Sequence, residues 1–166
     1  MYLIDASALI FAKNHHYQFD RVPPFWEWLH HHAREGTIKM PQEIFDEILR
    51  QDDELKAWVK DIKDDILVDA DDYDTRVGEV LDCYGGAENL TPSDLHKIGG
   101  DPYLVACALH LNASVITEEV SKKTQTGVKR KIPDTCDILG VEWVDIGGIQ
   151  KRPGIIDILD FKINWK

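Results

Sequence analysis

The chain has 166 residues, of which 43% are hydrophobic and 30% are charged. These values are typical of a globular protein and exclude a disordered or membrane-spanning chain. The formal net charge of −11 argues against a protein that binds nucleic acid over a broad basic surface. A nuclease stays possible, because acids grouped around a metal site raise the negative count and divalent cations offset them locally.

The sequence also indicates the compartment. No apolar run approaches the roughly 20 residues needed to cross a bilayer, and the N-terminus lacks the pattern of a signal peptide. We therefore expect a cytoplasmic protein with no membrane partner. Cys83, Cys107 and Cys136 are widely spaced and form no C-x-x-C element, so we interpret them as buried or incidental thiols rather than zinc ligands or a redox pair.

Short apolar runs alternate with helical patterns along the whole chain. In chain order the patterns predict a strand at 2–4, helices at 6–12 and 23–36, a strand at 37–40, helices at 41–51 and 53–63, a strand at 66–70, helices at 72–84, from 91 and at 101–112, and strands at 113–117 and 141–146. This alternation predicts a single α/β domain over residues 1–166, with three layers and a central, mainly parallel, five-stranded sheet.

Four acids follow strands or begin helices at what should be one edge of this sheet. Asp5 ends the first strand, Glu47 lies early in the helix after the second strand, Asp101 is expected to cap an apolar helix, and Glu119 lies just beyond the fourth strand. Carboxylates held together repel one another unless a cation lies among them. Because no histidine or cysteine has suitable spacing, we expect Mg²⁺ or Mn²⁺ rather than zinc.

The segments that carry these acids resemble the four motifs of the PIN domain, in order and over nearly the whole chain. They read YLIDASALI, MPQEIFDEIL, DPYLVACAL and VITEE. The matching positions are Asp5 and Ser7 in the first motif, Glu47 in the second, Asp101 in the third, and Thr117 and Glu119 in the fourth. AKNHHY followed by FWEWL is also similar to an uncharacterised branch of PIN-like proteins from bacteria and archaea.

The resemblance implies a PIN-like fold and a metal-dependent endoribonuclease, often the toxin of a toxin-antitoxin pair and often a homodimer. It implies that Asp5, Asp101 and Glu119 bind Mg²⁺ or Mn²⁺, that Glu47 completes the catalytic set, and that Ser7 and Thr117 orient a ligand. RNA would be the substrate and an antitoxin protein the regulatory partner.

Contacts with RNA must be concentrated in a small area of so acidic a protein. Lys13 and Asn14 follow the first helix and are predicted RNA contacts. The basic segment from Lys122 to Lys131 is either a solvated loop or a phosphate-contacting strip, and the sequence favours neither interpretation.

Several alternatives remain at this stage. Glu119 stands where many PIN domains have aspartate, and Glu43 or Glu118 could replace one of the acids named above. The chain could also be a catalytically silent PIN-like binding module that acts in a protein complex. A Mg²⁺-dependent phosphatase with an aspartyl nucleophile is disfavoured, because such enzymes typically have a second aspartate where this chain has Ser7.

Overall fold

The centre of the fold is a parallel β-sheet, seen in a computed structural model that describes residues 1–165. Within that range the sheet has four strands in the spatial order β2-β1-β3-β4. The strands are β1 (Tyr2–Ile4), β2 (Ile38–Lys39), β3 (Ser114–Ile116) and β4 (Trp143–Val144). Since every pairing is parallel, all four strands end at the same edge, and the segments that follow β1 and β3 are neighbours there.

Helices connect the strands, as the alternating pattern predicts for an α/β protein. The α-helices are α1 (Ala6–Phe11), α2 (Pro23–Arg34), α3 (Gln42–Leu49), α4 (Glu54–Asp61), α5 (Lys63–Ile66), α6 (Val77–Asp82), α7 (Pro92–Ile98), α8 (Asp101–Leu111), α9 (Ile132–Leu139) and α10 (Ile155–Ile158). A π-helical turn at Ala12–His16 follows α1, and short 3₁₀ helices lie at Tyr73–Arg76, Ala87–Asn89 and Gly127–Lys129.

Local sequence signals mark the starts of several helices, and the apolar faces of the helices pack around the sheet. Prolines lie in the first turn of α2 and α7, where a missing N–H costs nothing, and Thr91 forms a capping box with Asp94 at the start of α7. The body of α8 is apolar on all sides because it is buried in the core. Buried side chains from Leu3 to Ile155 form one hydrophobic cluster around the sheet.

The predicted strand at 66–70, third of five in chain order, is wrong, and the described sheet has four strands rather than five. Ile66 ends α5, and only Leu67 forms a bridge, with Met40 of the neighbouring segment. The backbone hydrogen bonds Met40 N–H to Ile66 O and Val68 N–H to Met40 O, each 2.9 Å, are all that remains of a ladder there. An apolar run of this length fits a buried helix end as well as a strand.

Other parts of the structure also differ from the prediction. The helix expected over 72–84 begins as a 3₁₀ turn, because Asp72 has a left-handed backbone with φ of 65°. Gly100 is the N-cap of α8, so Asp101 is its first helical residue rather than its cap. The sequence patterns also missed α9, although Gly140 with φ of 70° ends it. In the part of the chain that the structure describes, no helix has the length and apolarity of a membrane span.

Candidate metal centre

Asp5 is held rigidly at the end of β1. Its backbone N–H donates to Ile116 O at 2.9 Å, which continues the pairing with β3, and its side chain is only 3% exposed. The Asp5 carboxylate also caps α1: its Oδ2 accepts hydrogen bonds from the Ser7 N–H at 3.3 Å, from the Ser7 hydroxyl and from the Thr117 hydroxyl at 3.1 Å. These bonds fix the direction of the carboxylate.

Ser7 and Thr117 connect Asp5 to the segment that follows β3. Their hydroxyl oxygens are 3.2 Å apart. The Ser7 hydroxyl accepts the Glu118 N–H and the Thr117 hydroxyl accepts the Glu119 N–H, each at 3.2 Å. Both residues that were predicted to support the site are therefore in contact with it, and they set the path of the chain through Glu119.

Glu47 reaches the start of α8 from α3. Its Oε1 accepts the backbone N–H of Gly100 at 2.6 Å, which places the glutamate next to Asp101. Gly99 makes this approach possible: its φ is +63°, and a Cβ at that position would collide with Glu47 Oε1. The dipeptide Gly99-Gly100 therefore positions Glu47.

Burial and neighbouring charges raise the pKa values of Asp5 and Asp101. Burial raises the pKa of Asp101 well above its ordinary value, and the charges of Asp5, Glu119 and Glu47 raise it further, while Lys131 opposes them. Burial also raises the pKa of Asp5 to about 6; the hydrogen bonds from Ser7 and Thr117 lower it, and the charges of Glu119 and Glu47 raise it. Four acids that are distant in the sequence thus share one electrostatic environment.

Glu119 already has partners in the protein. Its Oε1 accepts a hydrogen bond from Lys131 Nζ at 3.0 Å, and its Oε2 accepts the backbone N–H of Ile132 at 2.8 Å. The first contact is an ion pair, and the second caps the N-terminus of α9. Glu119 therefore links the group of four acids, through an ion pair, to Lys131 at the end of the basic segment.

The donor types in this site fit a hard divalent cation. All four side chains offer carboxylate oxygens, and Mg²⁺ and Mn²⁺ prefer oxygen ligands. Among residues 1–165, however, no three acid, histidine or cysteine side chains are arranged closely enough to hold one metal ion. A third ligand therefore requires Glu47 or Glu119 to move closer to the two aspartates. Their bonds to Gly100 and Lys131 hold them in place but leave other acceptor positions on each carboxylate.

The two alternative glutamates point elsewhere. Glu43 accepts a hydrogen bond from the Tyr73 hydroxyl at 2.8 Å. Glu118 accepts the Ile146 N–H at 2.7 Å, and burial together with the charge of Asp145 raises its pKa. Glu47 and Glu119, by contrast, are the glutamates whose charges raise the pKa values of Asp5 and Asp101, which favours them for the site.

The predicted RNA contacts lie one helix away from the acids. Lys13 forms an ion pair with Asp53, and its side chain is only 15% exposed. Asn14 is exposed on the π-helical turn, as are His15 and His16. Lys13 is thus committed to a partner within the protein, and Asn14 is the accessible member of the predicted pair.

Comparison with known families gives one match. Residues 2–154 match the family described as Domain of unknown function (DUF4411). The chain belongs to that family. The matched region includes all four acids of the site and the basic segment. No curated protein matches the chain.

A cavity of about 250 Å³ opens beside Glu47, and sequence reasoning did not find it. Arg50, His96 and Tyr103 line it together with Gly99 and Gly100. The roles of Lys131 and of the two glycines were also missed. The glycine pair directly before Asp101 is the signal that could have indicated a close backbone approach.

Proposed function

We propose that the chain is a divalent-metal-dependent endoribonuclease with the three-layer arrangement of the PIN domain, which its four motif segments resemble. The observation that supports this most is the convergence of the acids at one edge of the sheet. Thr117, two residues before Glu119, donates to the Asp5 carboxylate, and Glu47 accepts the N–H of the residue before Asp101. Helix capping alone gives no reason for bringing these acids together. A cation does, because it offsets their repulsion.

The residues have separate roles in this proposal. Asp5, Asp101 and Glu119 hold Mg²⁺ or Mn²⁺, and Glu47 completes the catalytic set. When bound, the cation activates water and offsets the charge that develops on the attacked phosphate. Ser7 and Thr117 keep the Asp5 carboxylate in one orientation through its Oδ2, the role that outer hydrogen bonds have in many metal sites.

The raised pKa values of the three cysteine thiols support hydrolysis without a covalent enzyme intermediate. Burial raises the pKa of Cys107 to about 12, and burial also raises the pKa values of Cys83 and Cys136. A thiol must lose its proton to act as a nucleophile, and burial opposes that in all three. Water is therefore the nucleophile in the proposed reaction.

The activity is tested by incubating the protein with total cellular RNA and, separately, with a pool of single-stranded DNA, each with Mn²⁺. We expect cleavage of RNA that stops with a chelator and returns when Mg²⁺ or Mn²⁺ is added. The matched blank is Asp101→Asn, which keeps the size of the side chain and removes its charge. If the wild type cuts neither pool faster than this variant, the nuclease proposal is wrong.

A second experiment checks which glutamate of α3 belongs to the site. Glu47→Gln should lower metal-dependent cleavage by about 10- to 100-fold, the usual cost of disturbing a metal's surroundings. Glu43→Gln, one helical turn away, should retain the activity, because Glu43 bonds to Tyr73. Steady-state rates at saturating Mn²⁺ measure both. A dead Glu43→Gln with an active Glu47→Gln would show that the second motif is assigned to the wrong residue.

One observation favours a second candidate, a silent PIN-like binding module. Glu47 and Glu119 are both engaged by groups of the protein itself. If these contacts keep both glutamates away from Asp5 and Asp101, the acids are structural and the chain acts through a complex. An Asp5-dependent response to Mn²⁺ separates the two candidates, since only the nuclease requires it.

We further propose, from the resemblance, that the protein is the toxin of a toxin-antitoxin pair and forms a homodimer. A gene for a small DNA-binding protein beside its own gene would support the first proposal. Sedimentation of the purified chain measures the second.

A further inference from the structure

Lys131 forms an ion pair with Glu119, one of the four acids (Asp5, Glu47, Asp101 and Glu119) of the proposed metal centre. Its Nζ is 3.0 Å from Glu119 Oε1, and the side chains of the pair are 35% and 20% exposed. The hydrogen bond to Glu119 and the charges of Asp101 and Asp5 raise the pKa of Lys131, and Lys131 in turn lowers the pKa of Asp101. The ammonium group thus neutralises part of the charge that a divalent cation would otherwise offset.

The backbone around Lys131 is fixed while its side chain is long and flexible. Lys131 is the N-cap of α9, and its carbonyl oxygen accepts the Thr135 N–H at 3.0 Å and the Thr135 hydroxyl at 3.2 Å. The preceding residue is anchored as well, since Arg130 Nε donates to Cys83 O at 2.7 Å. A change of partner at Lys131 therefore needs only side-chain rotation.

Other positive charges of the basic segment are directed elsewhere. Lys123 pairs with Asp137, and the Arg130 side chain donates to the backbone of Cys83. Within the described residues, Lys131 is the member of this segment whose side chain forms an ion pair with an acid of the proposed site. Its ammonium group is therefore the one in this segment best placed to contact an RNA phosphate bound beside Glu119.

From these contacts we infer that Lys131 has two successive partners: Glu119 in the metal-free protein, and a phosphate of the RNA substrate once Glu119 has turned to a divalent cation. The inference rests on the proposed nuclease function. It makes Lys131 both a competitor of the cation and a residue that positions substrate. A lysine ammonium contacts phosphate as a compact charge with several donors, which suits an exchange of this kind.

The first test measures Mn²⁺ binding to metal-free protein by calorimetry, in the absence of RNA. Lys131→Met should lower the dissociation constant for Mn²⁺ by about fivefold, since a partly exposed ion pair no longer competes. Lys131→Arg should retain the wild-type value. Lys151→Met is the matched control, because the Lys151 side chain is 39% exposed, close to the 35% of Lys131. Lys151 pairs at 3.2 Å with Glu142, which precedes β4 and so lies at the opposite edge of the sheet.

The second test measures RNA cleavage at saturating Mn²⁺. Lys131→Met should lower kcat/KM by about 10- to 100-fold through loss of a charge-assisted phosphate contact, and Lys131→Arg should recover most of it. Unchanged Mn²⁺ affinity or unchanged kcat/KM in Lys131→Met would overturn the inference. If the wild type still binds Mn²⁺ through Asp5, such a result leaves the proposed function intact. A wild type that binds no Mn²⁺ overturns both.

Discussion

Asp5→Asn is expected to remove the response of the protein to divalent cations. In the wild type, Mn²⁺ should raise the melting temperature, because a ligand that binds only the folded state stabilises it. The variant should show no such rise, and its metal-dependent RNA cleavage should fall by a factor of about 1,000, as several kcal/mol of electrostatic stabilisation are lost. Thermal unfolding against Mn²⁺ concentration and single-turnover cleavage measure these effects.

Asp145→Asn is the matched control for this experiment. Asp145 directly follows β4, as Asp5 follows β1, and it is also fully buried. Its Oδ2 accepts the Gln150 N–H at 2.6 Å, outside the group of acids that raises the pKa of Asp101. The Asp145 variant should keep the response to Mn²⁺. Equal responses in the wild type and Asp5→Asn would remove Asp5 from the metal site.

The contribution of Asp5 to the free energy of unfolding of the metal-free protein should fall as the pH rises from about 4 to about 6. The pKa of Asp5 is raised from 3.8 to about 6 in the folded state, mainly by burial. The folded state therefore binds this proton more tightly than the unfolded state does. Stability from Asp5 is fully present below pH 3.8 and is lost as the pH passes about 6. The difference is about 3 kcal/mol in the free energy of unfolding.

The measurement compares urea unfolding of the wild type and Asp5→Asn across this pH range, with metal removed. Titration of carboxylates that do not interact with Asp5 is common to both proteins and cancels in the difference. The pKa of Asp101 is raised less in the variant, because the charge of Asp5 contributes to that shift. Above pH 6, Asp5→Asn should be the more stable protein, although it is the inactive one, as is common for residues kept for function. A difference that does not change with pH would mean that Asp5 is not held at a raised pKa.

Elements whose signals lie within their own few residues could be predicted from the sequence. Asp5 directly after an apolar strand, Pro23 in the first turn of α2 and Thr91 before α7 are such signals, and the corresponding elements are present. Pro133 in the first turn of α9 and Gly140 after its last turn are local signals that the prediction did not use. The bond from the first N–H of α9 to Glu119, thirteen residues earlier, is not a local signal. A method that reads short windows of sequence has no access to that contact.

The same distinction applies to the candidate site. Asp5, Glu47, Asp101 and Glu119 could be placed together because parallel strands end at one edge. The partners of these side chains could not be predicted. Glu47 bonds to a backbone N–H 53 residues away, and Lys13, the predicted RNA contact, pairs with Asp53, 40 residues away. Such pairings depend on how separate helices pack, and charge alone does not specify which acid a lysine meets.

The position of β1 in the sheet has a consequence for metal selectivity. Because β1 lies between β2 and β3, Asp5 belongs to a segment that is hydrogen-bonded on both sides and cannot shift without disrupting the sheet. Glu47 and Glu119 are long side chains whose partners can be exchanged. Mg²⁺ requires short, nearly octahedral coordination, whereas Ca²⁺ accepts more ligands at longer distances. The glutamates, rather than the aspartate, would therefore set the size of ion that the centre accepts.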